Sequence, residues 1–247
     1  MNKFFYILIC FTIAINTSAR IFTSHDEQKV EAEIISFNYD DNLVELKREN
    51  GKKFKVSSEI FIEEDQQFIL NWSQTRDFLN TRLFDINCVK KVSDEIENSV
   101  LSVEWDDGSS EEISDFREIK NEYVYYDVII SNDSDVITGP IKIEYRIFYE
   151  KELGINGKLT SQNIFGEGIH NLGTIKGRKK INFTTDSIVL KRVSYNTSDY
   201  VYSTIPVDTS DKLEGIWLRA TIVNSDGKKI TRDHCDPESI SNKKIWN

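Results

Sequence analysis

Three histidines occur in the chain, His25, His170 and His234. Only one sits in a dense group of potential metal ligands, His234-Cys235-Asp236. Neighbouring residues of a strand point to opposite faces, so such a run rarely closes on one ion. No C-x-x-C or H-E-x-x-H pair is present. His234 is therefore read as an exposed residue near a strand end. Two turns are rich in oxygen ligands, Asn132-Asp133-Ser134-Asp135 and Asp106-Asp107-Gly108. Neither has the spacing and closing Glu of a calcium loop, and Asp and Asn favour turns for local hydrogen-bonding reasons. No metal and no cofactor is expected.

Covalent catalysis finds no better footing. No G-x-S-x-G occurs, and Ser225-Asp226-Gly227-Lys228 fits S-x-x-K only in form, on a hairpin turn where the lysine is solvated. Asp208-Thr209-Ser210 lacks the glycine of an aspartic-protease loop. Gly166-Glu167-Gly168 lacks the third glycine and the helix of a phosphate cradle. A glycosidase brings its two carboxylates together by folding, not by sequence spacing. With 41 acidic residues, a hydrolase with dispersed carboxylates stays open as an alternative.

Aromatic residues are the remaining candidates. Tyr123, Tyr125, Tyr126, Tyr145 and Tyr149 fall on two strand-like segments. If Tyr123 and Tyr125 face outward, they form a platform suited to peptide or carbohydrate; the alternative is cross-strand pairing. Trp72, at the end of a helical pattern, is the third candidate partner contact.

Period-2 alternation dominates the elements that would position these residues. Val30, Ala32 and Ile34 share a face, as do Val44 and Leu46, then Phe54 and Val56 after the hairpin signal Asn50-Gly51. Phe61, Asp65, Phe68, Ile69 and Trp72 follow at helical spacing behind an acidic first turn. Several strands and one short helix over residues 20–72 describe a small barrel, near the lower limit of independent folding. Residues 73–81 read as a linker with room for a helical part. Beyond it, Leu101, Val103 and Trp105 share a face; so do Val124, Tyr126, Val128 and Ile130, then Ile141 to Tyr149, then Ile216 to Ile222. Strands at this spacing predict a β-sandwich of immunoglobulin-like class over residues 82–247. Leu153 to Gly177, with six glycines, reads as loop-rich, with room for a hairpin. A short late helix is expected around Glu238 to Lys244.

Arg20-Ile21-Phe22-Thr23, Val30-Glu31-Ala32, Val44 to Lys47, Asn50-Gly51-Lys52, Phe61 and Glu64 to Ile69 together resemble the Sla-type homology domain one family. The family is known from yeast endocytic adaptors and exported bacterial proteins. The resemblance covers residues 20–72 and implies an SH3-like barrel and peptide binding. Two departures stand out: Phe22 where a Trp is usual, and Ile62 where a Ser would cap the helix.

Location and charge narrow the partners. Met1-Asn2-Lys3, an apolar run from Phe4 to Ile15 and Thr17-Ser18-Ala19 read as a cleavable secretory signal over residues 1–19. The alternative is an uncleaved anchor. No second long apolar run follows, so no integral membrane segment is expected after cleavage, and the protein is expected to be secreted or periplasmic. A net charge of −10 repels phosphate backbones and excludes general nucleic-acid binding. Cys88 and Cys235 remain after cleavage. They are expected to form a disulfide worth ~4–5 kcal/mol in the chain-entropy model, the alternative being two free buried thiols. The leading expectation is an exported, non-catalytic binding protein with a protein or peptide partner. A carbohydrate-binding accessory module is the second reading.

Overall fold

The computed structural model describes residues 19–104, 107–155, 158–196, 207–224 and 227–246. The expected leader up to Ser18, together with Trp105, Asp106, Ser225 and Asp226, lies outside them. The described residues are mainly β with two α-helices. It divides into two compact units, Met1–Ser73 and Gln74–Asn247.

In the first unit, β1 (Arg20–Thr23), β2 (Lys29–Asn38), β3 (Leu43–Lys47) and β4 (Lys53–Ser57) form one antiparallel sheet in sequence order. Each strand buries alternate residues, and Phe22, Ala32, Ile34, Val44 and Leu46 meet Phe61 and Ile69 in a small core. The sheet is not a closed barrel. A 3₁₀ turn at Ser58–Ile60 carries the chain away after β4, and the far side is joined by a lone bridge between Ser24 and Phe61. Helix α1 (Glu63–Leu79) then covers the core with Phe68, Ile69 and Trp72. Ile62 offers no capping oxygen. Its own N–H donates to Thr23 O at 2.9 Å, while Gln66 Nε2 reaches back to Phe61 O at 2.7 Å. The stretch read as a linker, residues 73–81, is for the most part the continuation of this helix.

In the second unit, β5 (Phe84–Glu104) and β6 (Ser110–Asn132) make one long hairpin. The other edge of β6 is shared by β10 (Ile188–Tyr195), which pairs Arg117–Val124, and β9 (Lys179–Thr184), which pairs Asp127–Asn132. A short β11 (Thr209–Ser210) completes this sheet. The second sheet has the order β13 (Lys229–Asp236), β12 (Lys212–Val223), β7 (Ile141–Ile155), β8 (Lys158–Gly173). The two sheets share one core, in which Val124, Tyr126, Val128 and Ile130 meet Ile141, Ile143, Tyr145, Ile216 and Leu218. Helix α2 (Ile240–Lys243) follows β13.

The glycine-rich stretch departs from expectation: it is strand, not loop. Gly166 and Gly168 sit in β8 because their neighbours occupy the space of a side chain. A Cβ on Gly166 would meet Ile188 Cγ2 at 2.6 Å, and one on Gly168 would overlap the Tyr145 ring and hydroxyl. The Tyr145 hydroxyl is itself satisfied in this interior, donating to Asp186 Oδ2 at 3.0 Å and accepting from Asp186 N at 2.8 Å.

The expected disulfide is not formed: Cys88 and Cys235 are free thiols, each half-buried. Parity separates them. Cys88 lies opposite Val128 and packs against the inter-sheet core. Cys235 lies opposite Trp217, which faces away from that core and packs with Phe148 and Ile240. Cys88 thus faces the shared core from the β5–β6 sheet, whereas Cys235 faces outward from the other sheet, and the two do not bond. Burial pushes Cys88 up to about 12 and Cys235 up to about 11, so neither is a ready thiolate.

Candidate functional site

A cleft of about 620 Å³ opens in the first unit, between the β1–β2 turn, the β3–β4 hairpin and the 3₁₀ turn. Its construction is local. Ser24 N donates to Gln28 O and Glu27 N to Ser24 O, both at 2.9 Å, which folds the β1–β2 turn tightly. His25 N donates to Ile60 O at 2.9 Å, fixing the turn beside the 3₁₀ segment. On the other side Asn50-Gly51 closes the β3–β4 hairpin, with Gly51 at φ 81°. That hairpin brings Arg48 over the Phe54 ring at 5.1 Å.

The floor of the cleft is apolar: Val30, Phe54 and Val56 are half-buried and Phe61 is buried. The rim is exposed and polar, with His25, Asp26, Lys29 and Arg48, and Ile60 is the one exposed apolar residue on it, at 43%. Ser24 Oγ donates to Asp26 Oδ1, and that bond holds the Asp26 carboxyl below its ordinary range, so the rim carries a fixed negative charge. An apolar floor with charges of both signs around it fits an extended segment that seats one apolar side chain and orients by its charges.

Asp65 supports this cleft from behind. It is 2% exposed, accepts from Arg20 Nε at 3.0 Å and from Thr23 N at 2.7 Å, and so ties β1 to helix α1. The Arg20 guanidinium lies over the Phe68 ring at 4.2 Å. One buried carboxylate thereby fixes the strand from which the β1–β2 turn departs.

The candidate partner contacts read from the sequence fall in both units. Tyr123 and Tyr125 lie on the outer face of the β5–β6–β10 sheet, because Val124 and Tyr126 between and beside them face the core. Both are half-buried. The Tyr123 hydroxyl donates to Glu95 Oε2 at 2.9 Å, which raises its pKa. Trp72 belongs to the other unit and packs on its core. Among the turns read for calcium, Asn132 is buried and spends its side chain on the backbone: its amide donates to Val136 O at 2.8 Å and Ile175 O at 3.1 Å. Among the described residues no group of three or more His, Cys, Asp or Glu is placed to hold a metal ion. His234 is not exposed: it faces inward from β13 beside Arg232, while Cys235 faces outward.

A second feature escaped the sequence reading. On the outer face of the β13–β12–β7–β8 sheet, Trp246 lies under Arg146 at 4.8 Å and Arg219 at 4.6 Å, and Arg146 also covers Phe165 at 4.6 Å. Trp217 supports Trp246 with ring centroids 5.5 Å apart. Each arginine keeps a carboxylate partner, Arg146 with Glu167 and Arg219 with Asp233. This ladder pins the segment after α2 across the sheet. The signal for it was present: Trp217 alternates with core residues, so a large ring on the outer face called for a cover.

No protein-family model matches the chain, and no curated protein matches it in sequence. Among the described residues no helix is long and apolar enough to cross a membrane.

Proposed function

We propose that this is an exported, non-catalytic binding protein whose first unit, an SH3-like module of the Sla-type homology domain kind, holds an extended peptide in the 24–61 cleft. The second unit is an immunoglobulin-like sandwich that carries it. The carrying observation is the cleft itself: an apolar floor of Val30, Phe54, Val56 and Phe61 inside a rim that sets Asp26 against Lys29 and Arg48. Export, to the periplasm or the medium, rests on the sequence of residues 1–19.

A peptide array probed with the whole chain tests the reading. Binders should share an apolar side chain flanked by charge. Arg48→Glu and Ile60→Asp should each weaken them by about tenfold or more, ~1.4 kcal/mol. Binders unaffected by either substitution would place the site elsewhere. A carbohydrate reading draws on the outward Tyr123 and Tyr125; a glycan array that lights up while the peptide array stays blank would replace the peptide proposal with it.

A further inference from the structure

The longest hairpin of the second unit ends in an open edge. β5 pairs with β6 along its length and, among the described residues, carries no strand on its other side. From Val89 to Asn98 every residue is exposed, on both faces of the strand. An open edge is a template for another strand, and proteins blunt such edges with proline, a central bulge or charges of one sign. β5 has no proline over this stretch, and its register shift comes only between Ser99 and Leu101. Its charges are sorted instead. Lys90 and Lys91 come first, Asp94, Glu95 and Glu97 after, with Val89, Val92 and Ile96 exposed at 38%, 48% and 60% among them.

That order is self-complementary. A second copy laid antiparallel about a two-fold axis through Val92 sets residues equidistant from Val92 opposite one another. Lys90 then faces Asp94, Val92 faces Val92, and Cys88 faces Ile96. An axis perpendicular to the sheet keeps each residue on its own face, so the parity of both copies agrees. Moving the centre to Ser93 sets Lys91 opposite Glu95 but puts Lys90 opposite Ile96 and Val92 opposite Asp94, so the register centred on Val92 is the better match. A parallel neighbour in register would instead put Lys90 and Lys91 beside their own copies and the acids beside theirs, which repels. The pattern thus admits a closed pair and rejects stacked growth. Lys91 and Asp94 also pair within the hairpin, with Asp127 at 3.9 Å and Lys120 at 2.9 Å, and a partner edge adds to those bonds without requiring their loss.

We propose that two copies of this protein associate edge to edge through β5, antiparallel, so that their sheets become one continuous sheet. The occupant of the edge is a second copy.

Sedimentation equilibrium on the full chain tests this. K90E/K91E leaves the edge acidic, and D94K/E95K leaves it mainly basic. Each variant alone should raise the dimer dissociation constant by about tenfold or more, since like charges then face one another. An equimolar mixture should recover dimers, because the two altered edges complement each other. Circular dichroism checks that each variant is folded; if a pair of substitutions unfolds the chain, V92R, which would face itself, takes its place and should give a monomer. A wild-type chain that stays monomeric at about 100 μM overturns the proposal. So do folded variants that dimerise like the wild type, and so does a mixture that gains nothing over its components.

Discussion

The two units solve the same problem at different scales. The first gathers seven buried apolar residues and leans on a buried carboxylate to hold its first strand to its helix. The second gathers eighteen such residues between two sheets among those described, and spends its buried polar groups, such as Asn132 and Thr185, on neighbouring backbone. A small core leaves less apolar burial per residue, so directed polar ties carry more of the load. The same economy of strands leaves the first unit with an unclosed sheet, and its cleft opens beside the join. The second unit keeps its apolar interior shut and shows its chemistry on outer faces and edges.

The comparison can be broken most sharply at Asp65. Asp65→Ala leaves Thr23 N without its acceptor and Arg20 with Glu64 alone, and should cost about 3–5 kcal/mol, from the loss of two bonds to a charged group at about 1.5–3 kcal/mol each. Hydrogen exchange should show protection lost over residues 20–72 and retained over β5 to β13. Uniform loss across both units would erase the distinction between them. In the second unit Leu218→Ala opens a cavity beneath fully buried neighbours and should cost about 2–5 kcal/mol in urea titrations. Trp246→Ala removes two arginine contacts and an indole pair at the surface and should cost less, about 1–2 kcal/mol.

Acid should sharpen the contrast further. Burial, then the nearby Arg232, lowers the pKa of His234 below its ordinary 6.5. The unfolded chain therefore binds this proton more readily than the folded one. Stability from this group is complete above about pH 6.5 and is lost as pH falls through that value towards the lowered folded pKa. Protection factors in β12 and β13 should fall between pH 7 and pH 5, and His234→Gln should flatten that fall. The smallest effect is chemical. Cys88 and Cys235 should leave the mass unchanged on reduction and should label slowly at pH 8 in the native state.

Much of this was legible where alternation is strict. Ile141 to Tyr149 and Ile216 to Ile222 follow period 2, broken only by Phe148 and Trp217 at outward positions, and both are core strands. The helix was visible at its start, from Glu63 to Trp72, but not at its end, because Ser73 to Asn80 mixes small, polar and apolar residues without a clean face. The Leu153 to Gly177 stretch misled because glycine usually marks turns. Here Gly166 and Gly168 answer to Ile188 and Tyr145, which no local pattern reveals. The cleft was illegible for a related reason. Its lining comes from residues 24–30, 48, 54–56 and 60–61, and only the curl of the sheet assembles them. The outward direction of Tyr123 and Tyr125, by contrast, followed from parity once Tyr126 was placed inside.

The Trp217–Trp246 pair gives the molecule a built-in optical gauge. Two indoles with centroids 5.5 Å apart and planes at 58° couple their electronic transitions. A bisignate band in the ultraviolet circular dichroism should report on whether the last residues lie against the sheet, and fade when they lift away. Since the chain has only four tryptophans, that band needs no label and no added fluorophore.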